Sequence, residues 1–222
     1  MENITLEFEK IVGKIDENLK LYIENHVFPE YEKNESAHGL SHILYVIRRS
    51  LIFANQVTEP INLNMVYVIA AYHDIGHHID AKSHEKISAS ILEKDTNLKN
   101  FFTPEEIAMM KEAVEDHRAS SKTDPRNIYG KIVSSADRNT NVNNAINRSY
   151  SYRLKHSPNA TLEEMIEESR QHLKDKFGKG GYATQKMYFE DKEYTNYLDK
   201  IDTLVSDKEA FRNRFMEVNN LN

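Results

Sequence analysis

Eight residues, Met65-Val66-Tyr67-Val68-Ile69-Ala70-Ala71-Tyr72, run apolar and aromatic without a break into an adjacent histidine and aspartate, His73-Asp74. The run is far short of a membrane span and reads as a buried helix. An imidazole and a carboxylate at the inner end of such a helix cost free energy unless they are paired or bound to a cation. Any fold this chain adopts must therefore bring partners to that point. A metal ion is the simplest partner for a nitrogen and a hard oxygen together.

The chain has no cysteine. Disulfides, thiolate zinc sites and cysteine nucleophiles are excluded, so a metal must sit among His, Asp and Glu. The 222 residues allow one large domain, or one with a small appendage. The formal charge is −6. That argues against long nucleic acid as a partner and leaves room for a local basic cleft. The opening residues MENITLEFEK lack a basic region followed by an apolar run, so we expect no secretory signal, no membrane partner and a cytoplasmic location. A homodimer is left open.

Gly and Pro are scarce, 7 and 5, and apolar residues recur at helical spacing. The chain reads as all-α. We expect a first helix over about Leu6 to His26, with Ile11, Ile15, Leu19, Tyr22 and Ile23 on one face and Pro29 just beyond its end. A second runs from Ser41 or His42 to about Gln56, with Ile43, Val46, Ile47 and Ile52 inward. A third covers about Asn62 to His77, and a fourth runs from an N-cap at Ser83 to Glu93. Thr103-Pro104-Glu105-Glu106 combines a Thr cap, a first-turn Pro and a Glu three residues on, opening a fifth helix to about Arg118. The polar loop Ala119 to Pro125 leads to a sixth from about Arg126, carrying Ile132, Val133 and Ala136 up to Asp137. Thr161 to Glu164 is a second capping box, whose helix runs to about Lys176 before Gly178-Lys179-Gly180-Gly181 breaks it. One or two further helices are expected, over about Asp191 to Val205 and Asp207 to Val218. No linker forces two domains. We expect a single domain over residues 1–222, with a motif core at about 40–144 and a helical extension at about 145–222.

Five segments place a ligand-type residue near a helix end beside an apolar stripe: His42, His73-Asp74, His84, His117 and Asp137. Facing helices can bring such residues together as a metal site in a bundle core. In HGLSH the glycine puts His38 in a loop, where it satisfies backbone groups, with contact to the site as the alternative. His26, His156 and His172 lack this setting and read as surface residues.

The ordered set His42, His73-Asp74, Asp137 resembles the HD superfamily of metal-dependent phosphohydrolases. His84 and His117 fall where its two-metal members place theirs, giving H…HD…H…H…D, and HDIG is itself common there. The resemblance covers about Leu40 to Asn144. It implies an all-α HD-domain helical bundle with additional C-terminal helices. It further implies a first metal on His42, His73, Asp74 and Asp137, with Asp74 bridging to a second on His84 and His117. One or two divalent cations are expected, from manganese, iron, zinc, cobalt, nickel or magnesium. Such a pair acidifies a water and clamps a phosphoryl group. The implied substrate is a small phosphate ester or anhydride, with a nucleotide as the expected class. Many members carry Lys after HDIG, where this chain has His77. A GYP motif is absent, so a cyclic-di-GMP phosphodiesterase is not supported.

Around this set, Asp74 and His77 are the expected catalytic residues. His77 follows His73 by four and shares its face if the helix continues. Arg118, Lys131 and Arg138 are candidates for a substrate phosphate. Glu115 and Asp116 are candidates to fix the tautomer of His117. The same ligand pattern serves di-iron HD oxygenases, and a non-catalytic nucleotide-sensing module is a further reading.

Overall fold

A computed structural model describes residues 11–118, 121 and 123–221. All regular elements among them are helical. The chain divides into two compact units, the first ending at Asp137 and the second beginning at Arg138.

Unit 1 holds α1 (Glu17–His26), α2 (Leu40–Ala54), α3 (Leu63–Tyr72), α4 (His84–Lys94), α5 (Pro104–Glu115) and α6 (Ile128–Ala136), with short 3-10 turns at Phe28–Lys33, Ser36–His38 and Thr96–Asn100. The central element is α3, which packs against all five others. Each of its residues from Met65 to Tyr72 is buried, as a helix apolar on every side requires. Removing each of its large apolar side chains from water contributes roughly 1.5–3 kcal/mol. Asn62 starts α3 by accepting from the Asn64 N–H at 3.0 Å.

The end of α3 positions the site. Its last carbonyls have no helical partner, so other groups take them. His73 Nδ1 donates to Ala70 O at 2.8 Å, Tyr31 Oη to Ala71 O at 2.7 Å, and the Ile75 N–H to Tyr72 O at 3.2 Å. The helix therefore stops at Tyr72, five residues before the expected His77, and HDIGHH forms a turn. This turn presses on α4 through Gly76, whose N–H donates to Ser88 Oγ at 3.0 Å. A Cβ there would stand 2.6 Å from Ile87 Cγ2.

Other boundaries also move. The expected first helix is interrupted: Asp16 accepts from the Leu19 N–H at 2.9 Å and caps α1 at Glu17. The stretch Leu6 to Lys10 of that expectation lies outside the described residues. Leu40, with Gly39 as its N-cap, opens α2. Leu51 fills the core where Ile52 was expected, and Ile52 is half-buried. The Ser83 side chain does not cap α4; its Oγ donates to Asp80 Oδ2 at 2.5 Å. The Thr103–Glu106 capping box forms with both bonds, but α5 ends at Glu115 rather than Arg118.

Unit 2 holds α7 (Val142–His156), α8 (Leu162–Phe177), α9 (Lys192–Ser206) and α10 (Lys208–Val218), with a 3-10 turn at Tyr182–Thr184. Sequence reasoning missed α7. Its apolar positions are few, Ala145 and Ile146 being the buried ones, and its start depends on Asn141 accepting from the Asn143 and Asn144 N–H groups. Tyr194, Tyr197, Ile201, Phe211 and Phe215 centre the core of this unit. No described helix is long and apolar enough to cross a membrane.

Candidate metal centre

Four helix ends and the HDIG turn bring six imidazoles and two carboxylates together within unit 1. His42 comes from the first turn of α2 and His84 opens α4. His73 caps α3, His117 follows α5, and Asp137 caps α6. On α2, buried Arg49 reaches the α6 carbonyl of Ser135 at 3.4 Å, tying the helices that carry His42 and Asp137.

Three histidines are aimed by one local device. His73, His84 and His117 each place Nδ1 on the carbonyl three residues back, Ala70, Ala81 and Val114, at 2.8, 2.9 and 2.7 Å. A carbonyl only accepts, so Nδ1 carries the proton and Nε2 keeps its lone pair facing the centre. Glu115 and Asp116 do not hold His117. Both instead accept from Arg126, which joins the residues just before α6 to the end of α5.

The Nε2 atoms form two groups on either side of Asp74. His42 Nε2 lies 3.1 Å from Asp137 Oδ1 and 3.4 Å from His73 Nε2. Both imidazoles stand 3.6 Å from Asp74 Oδ2. On the other side, His84 and His117 Nε2 lie 3.2 and 3.6 Å from Asp74 Oδ1, and 3.1 Å from each other. Asp74 Oδ1 is buried and has no hydrogen-bond partner. A buried carboxylate oxygen facing two unprotonated nitrogens is strongly unfavourable without a cation or an added proton. The donor set fits a borderline divalent metal. His42, His73 and Asp137 could hold one ion, and Asp74, His84 and His117 another.

The charges are mutually tuned. Burial pushes the Asp74 carboxyl up, but His73, His117 and His38 pull it well below the ordinary carboxylate range. Burial also opposes ionisation of Asp137, yet its hydrogen bond to His42 brings it down to about 2. Burial lowers His73 to about 4 and also lowers His84.

His38 was expected to serve loop backbone groups, with contact to the site as the alternative. It instead donates from Nδ1 to Asp74 Oδ2 at 2.7 Å, and with His42 and Asp74 it forms a third ligand-type group. Asn34 was missed entirely. Its Nδ2 donates to the Asp74 and His38 carbonyls, both at 3.0 Å, fixing the turn from below. The i,i+4 spacing of His38 and His42 was the available signal for the first; nothing in the sequence marked Asn34.

His77 reaches the cluster although the helix does not continue to it. Its ring stacks on His38 at 3.8 Å and lies 5.1 Å from His84. Burial and His38 lower it to about 4. Arg118 donates to Lys82 O at 2.8 Å and to Glu85 at 3.2 Å. Lys131 is half-buried on α6. In unit 2, Arg138 is buried, donating to Lys186 O at 2.8 Å with its guanidinium 4.9 Å over the Tyr194 ring. His26 and His156 are exposed and bond their own helix backbone.

Residues 39–141 match the family model of the HD domain. The chain carries an HD domain. The matched span contains both ligand groups. HD domains bind divalent metals and typify a superfamily of metal-dependent phosphohydrolases, some of whose members are non-catalytic. No curated protein and no solved structure gave a significant match.

Proposed function

We propose that this HD-domain protein is a metal-dependent phosphohydrolase acting on a small phosphate ester or anhydride, with a nucleotide as the substrate class. The observation that carries the reading is Asp74, whose two oxygens face separate imidazole groups and whose Oδ1 is buried without a partner. In this reading His42, His73, Asp74 and Asp137 hold one cation, and Asp74, His84 and His117 a second. When bound, the cations supply Lewis acidity and acidify a water. Asp74 keeps its charge between the two groups. His38 fixes its orientation through Oδ2. His77, neutral at pH 7, orients the water or takes a proton on a ring nitrogen. Arg118 and Lys131 contact the substrate phosphate, Arg118 by exchanging Glu85 for it. Arg138 is left out, because its guanidinium is buried against Lys186 and Tyr194.

The test is phosphate release from a panel of nucleotides and simple phosphoesters with manganese added, run beside Asp74→Ala. Release from one substrate class, lost in the variant while helical content is kept, is the expected result. Unchanged turnover in Asp74→Ala sinks the mechanism. The division of ligands around Asp74 also suits a di-iron oxygenase. Oxygen uptake and a visible absorption band on iron loading, without hydrolysis under manganese, would favour that reading. Tight nucleotide binding without turnover would favour a sensing module.

A further inference from the structure

Helices α7 and α8 of unit 2 line a cleft of about 510 Å³, a volume in the range of small-molecule sites. Residues 148, 149, 152 and 153 of α7 face residues 172, 173, 176 and 177 of α8 across it, each set spaced to share one side of its helix. The buried apolar part is Ala145, Leu173 and Phe177. The polar part is Asn139, Ser149 and His172 with three cations, Arg148, Arg153 and Lys176. No carboxylate is among the described lining residues. The whole chain carries more acidic than basic residues, 35 against 29, so this collection is not a sample of its average surface.

Two buried polar atoms in the lining have no hydrogen-bond partner. One is Ser149 Oγ, on a residue 7% exposed, and the other is Arg153 Nε. Arg153 does pair with half-exposed Glu168, but through Nη1 at 3.1 Å. Buried donors left without acceptors are rare and ask for a ligand. Gathered like charges in a half-closed cleft repel one another, and an anion relieves both conditions. Burial and the neighbouring Arg148 charge push the Lys176 ammonium down, in keeping with that crowding.

The geometry points to a binding site for a phosphate-class oxyanion in this cleft, held by Arg148, Arg153 and Lys176 with Ser149 as a hydroxyl donor. The lining lies within unit 2 and includes none of the ligand-type residues of unit 1, and the site does not depend on a metal.

Sodium phosphate titrated into the EDTA-treated full chain, at ionic strength balanced with chloride, tests this. Chelation removes any phosphate binding through cations at the histidines, so the outcome is independent of the hydrolase reading. Calorimetry should give saturable binding, with Arg148→Gln and Lys176→Gln each weakening it about tenfold or more. Lys176→Arg, which keeps the charge, should retain binding. Lys155→Gln, an exposed lysine on α7 outside the cleft, should leave it unchanged. The His172 ring gives a second readout. Burial, Lys176 and Arg153 lower its pKa against the pull of Asp175, so bound phosphate should raise its titration midpoint by NMR. Glycerol phosphate binding more tightly than the free ion would name a phosphomonoester as the source, and the reverse order the free anion. Absence of saturable binding, or equal weakening by Lys155→Gln, overturns the site.

Discussion

The Nε2 atoms of His84 and His117 face each other at 3.1 Å, each ring holding its Nδ1 proton on a backbone carbonyl. Two lone pairs at that separation repel unless a proton or a cation lies between them. In the chelated protein a proton can take the place: burial pulls His117 down, but the Asp74 carboxylate outweighs it and raises the ring above the ordinary imidazole value. Metal uptake must then displace that proton.

Proton release on metal binding is therefore expected near pH 6.5. Calorimetry in buffers of different ionisation enthalpy measures it. His117→Ala should reduce the count, and elemental analysis of His84→Ala/His117→Ala should find one metal per chain where the parent holds two. Two metals retained in the double variant would remove the second ligand group from the proposal.

His38 acts on the site through Asp74 Oδ2. Loss of such an orienting partner typically costs about 10–100-fold in metal affinity or activity. His38→Ala should lower kcat in that range with KM little changed. A variant that raises KM alone would mean His38 contacts substrate rather than positioning Asp74.

Gly76 has no room for a side chain against Ile87 and Ser88. Gly76→Ala should force the turn off α4 and destabilise unit 1 by roughly 1–3 kcal/mol. Urea unfolding measures the loss. Wild-type stability in this variant would show that the turn yields without strain.

Acid should weaken the chelated protein through His73. Burial lowers this ring from 6.5 to about 4, so the unfolded chain takes the proton first. Stability falls as pH drops below 6.5 and the loss is complete below about 4, amounting to roughly 3 kcal/mol for this buried ring. His77 adds in the same direction, reduced by its exposure. His117 opposes them, contributing stability below 6.5 that is lost as pH rises through its raised value. Urea unfolding at pH 7 and pH 5 should show a flatter dependence in His73→Asn than in the parent. Parallel slopes would remove His73 as the source.

The helices that announce themselves in sequence do so by chemistry at their starts. Thr103 and Thr161 open helices with both capping-box bonds formed, because a hydroxyl oxygen only two bonds from Cα acts locally. Their ends are less legible: α3 stops at Tyr72 because Tyr31, forty residues away, takes the Ala71 carbonyl. That is a tertiary event with no local mark. The six ligand-type residues sat beside apolar stripes and could be read. Asn34 could not, since its role depends on a turn that brings it under Asp74. The charge-lined cleft of α7 and α8 was hidden for the same reason, as α7 has too thin an apolar face to stand out.

A chain without cysteine has no covalent cross-link to restrict its unfolded state. An ion gripping His42 and Asp137, whose ligand atoms lie 3.1 Å apart, would tie off a loop of about 95 residues, worth ~4–5 kcal/mol on the chain-entropy scale used for disulfides. The same metal that serves the reaction would then act as the topological staple of unit 1, and starving the protein of metal would loosen its fold along with its chemistry.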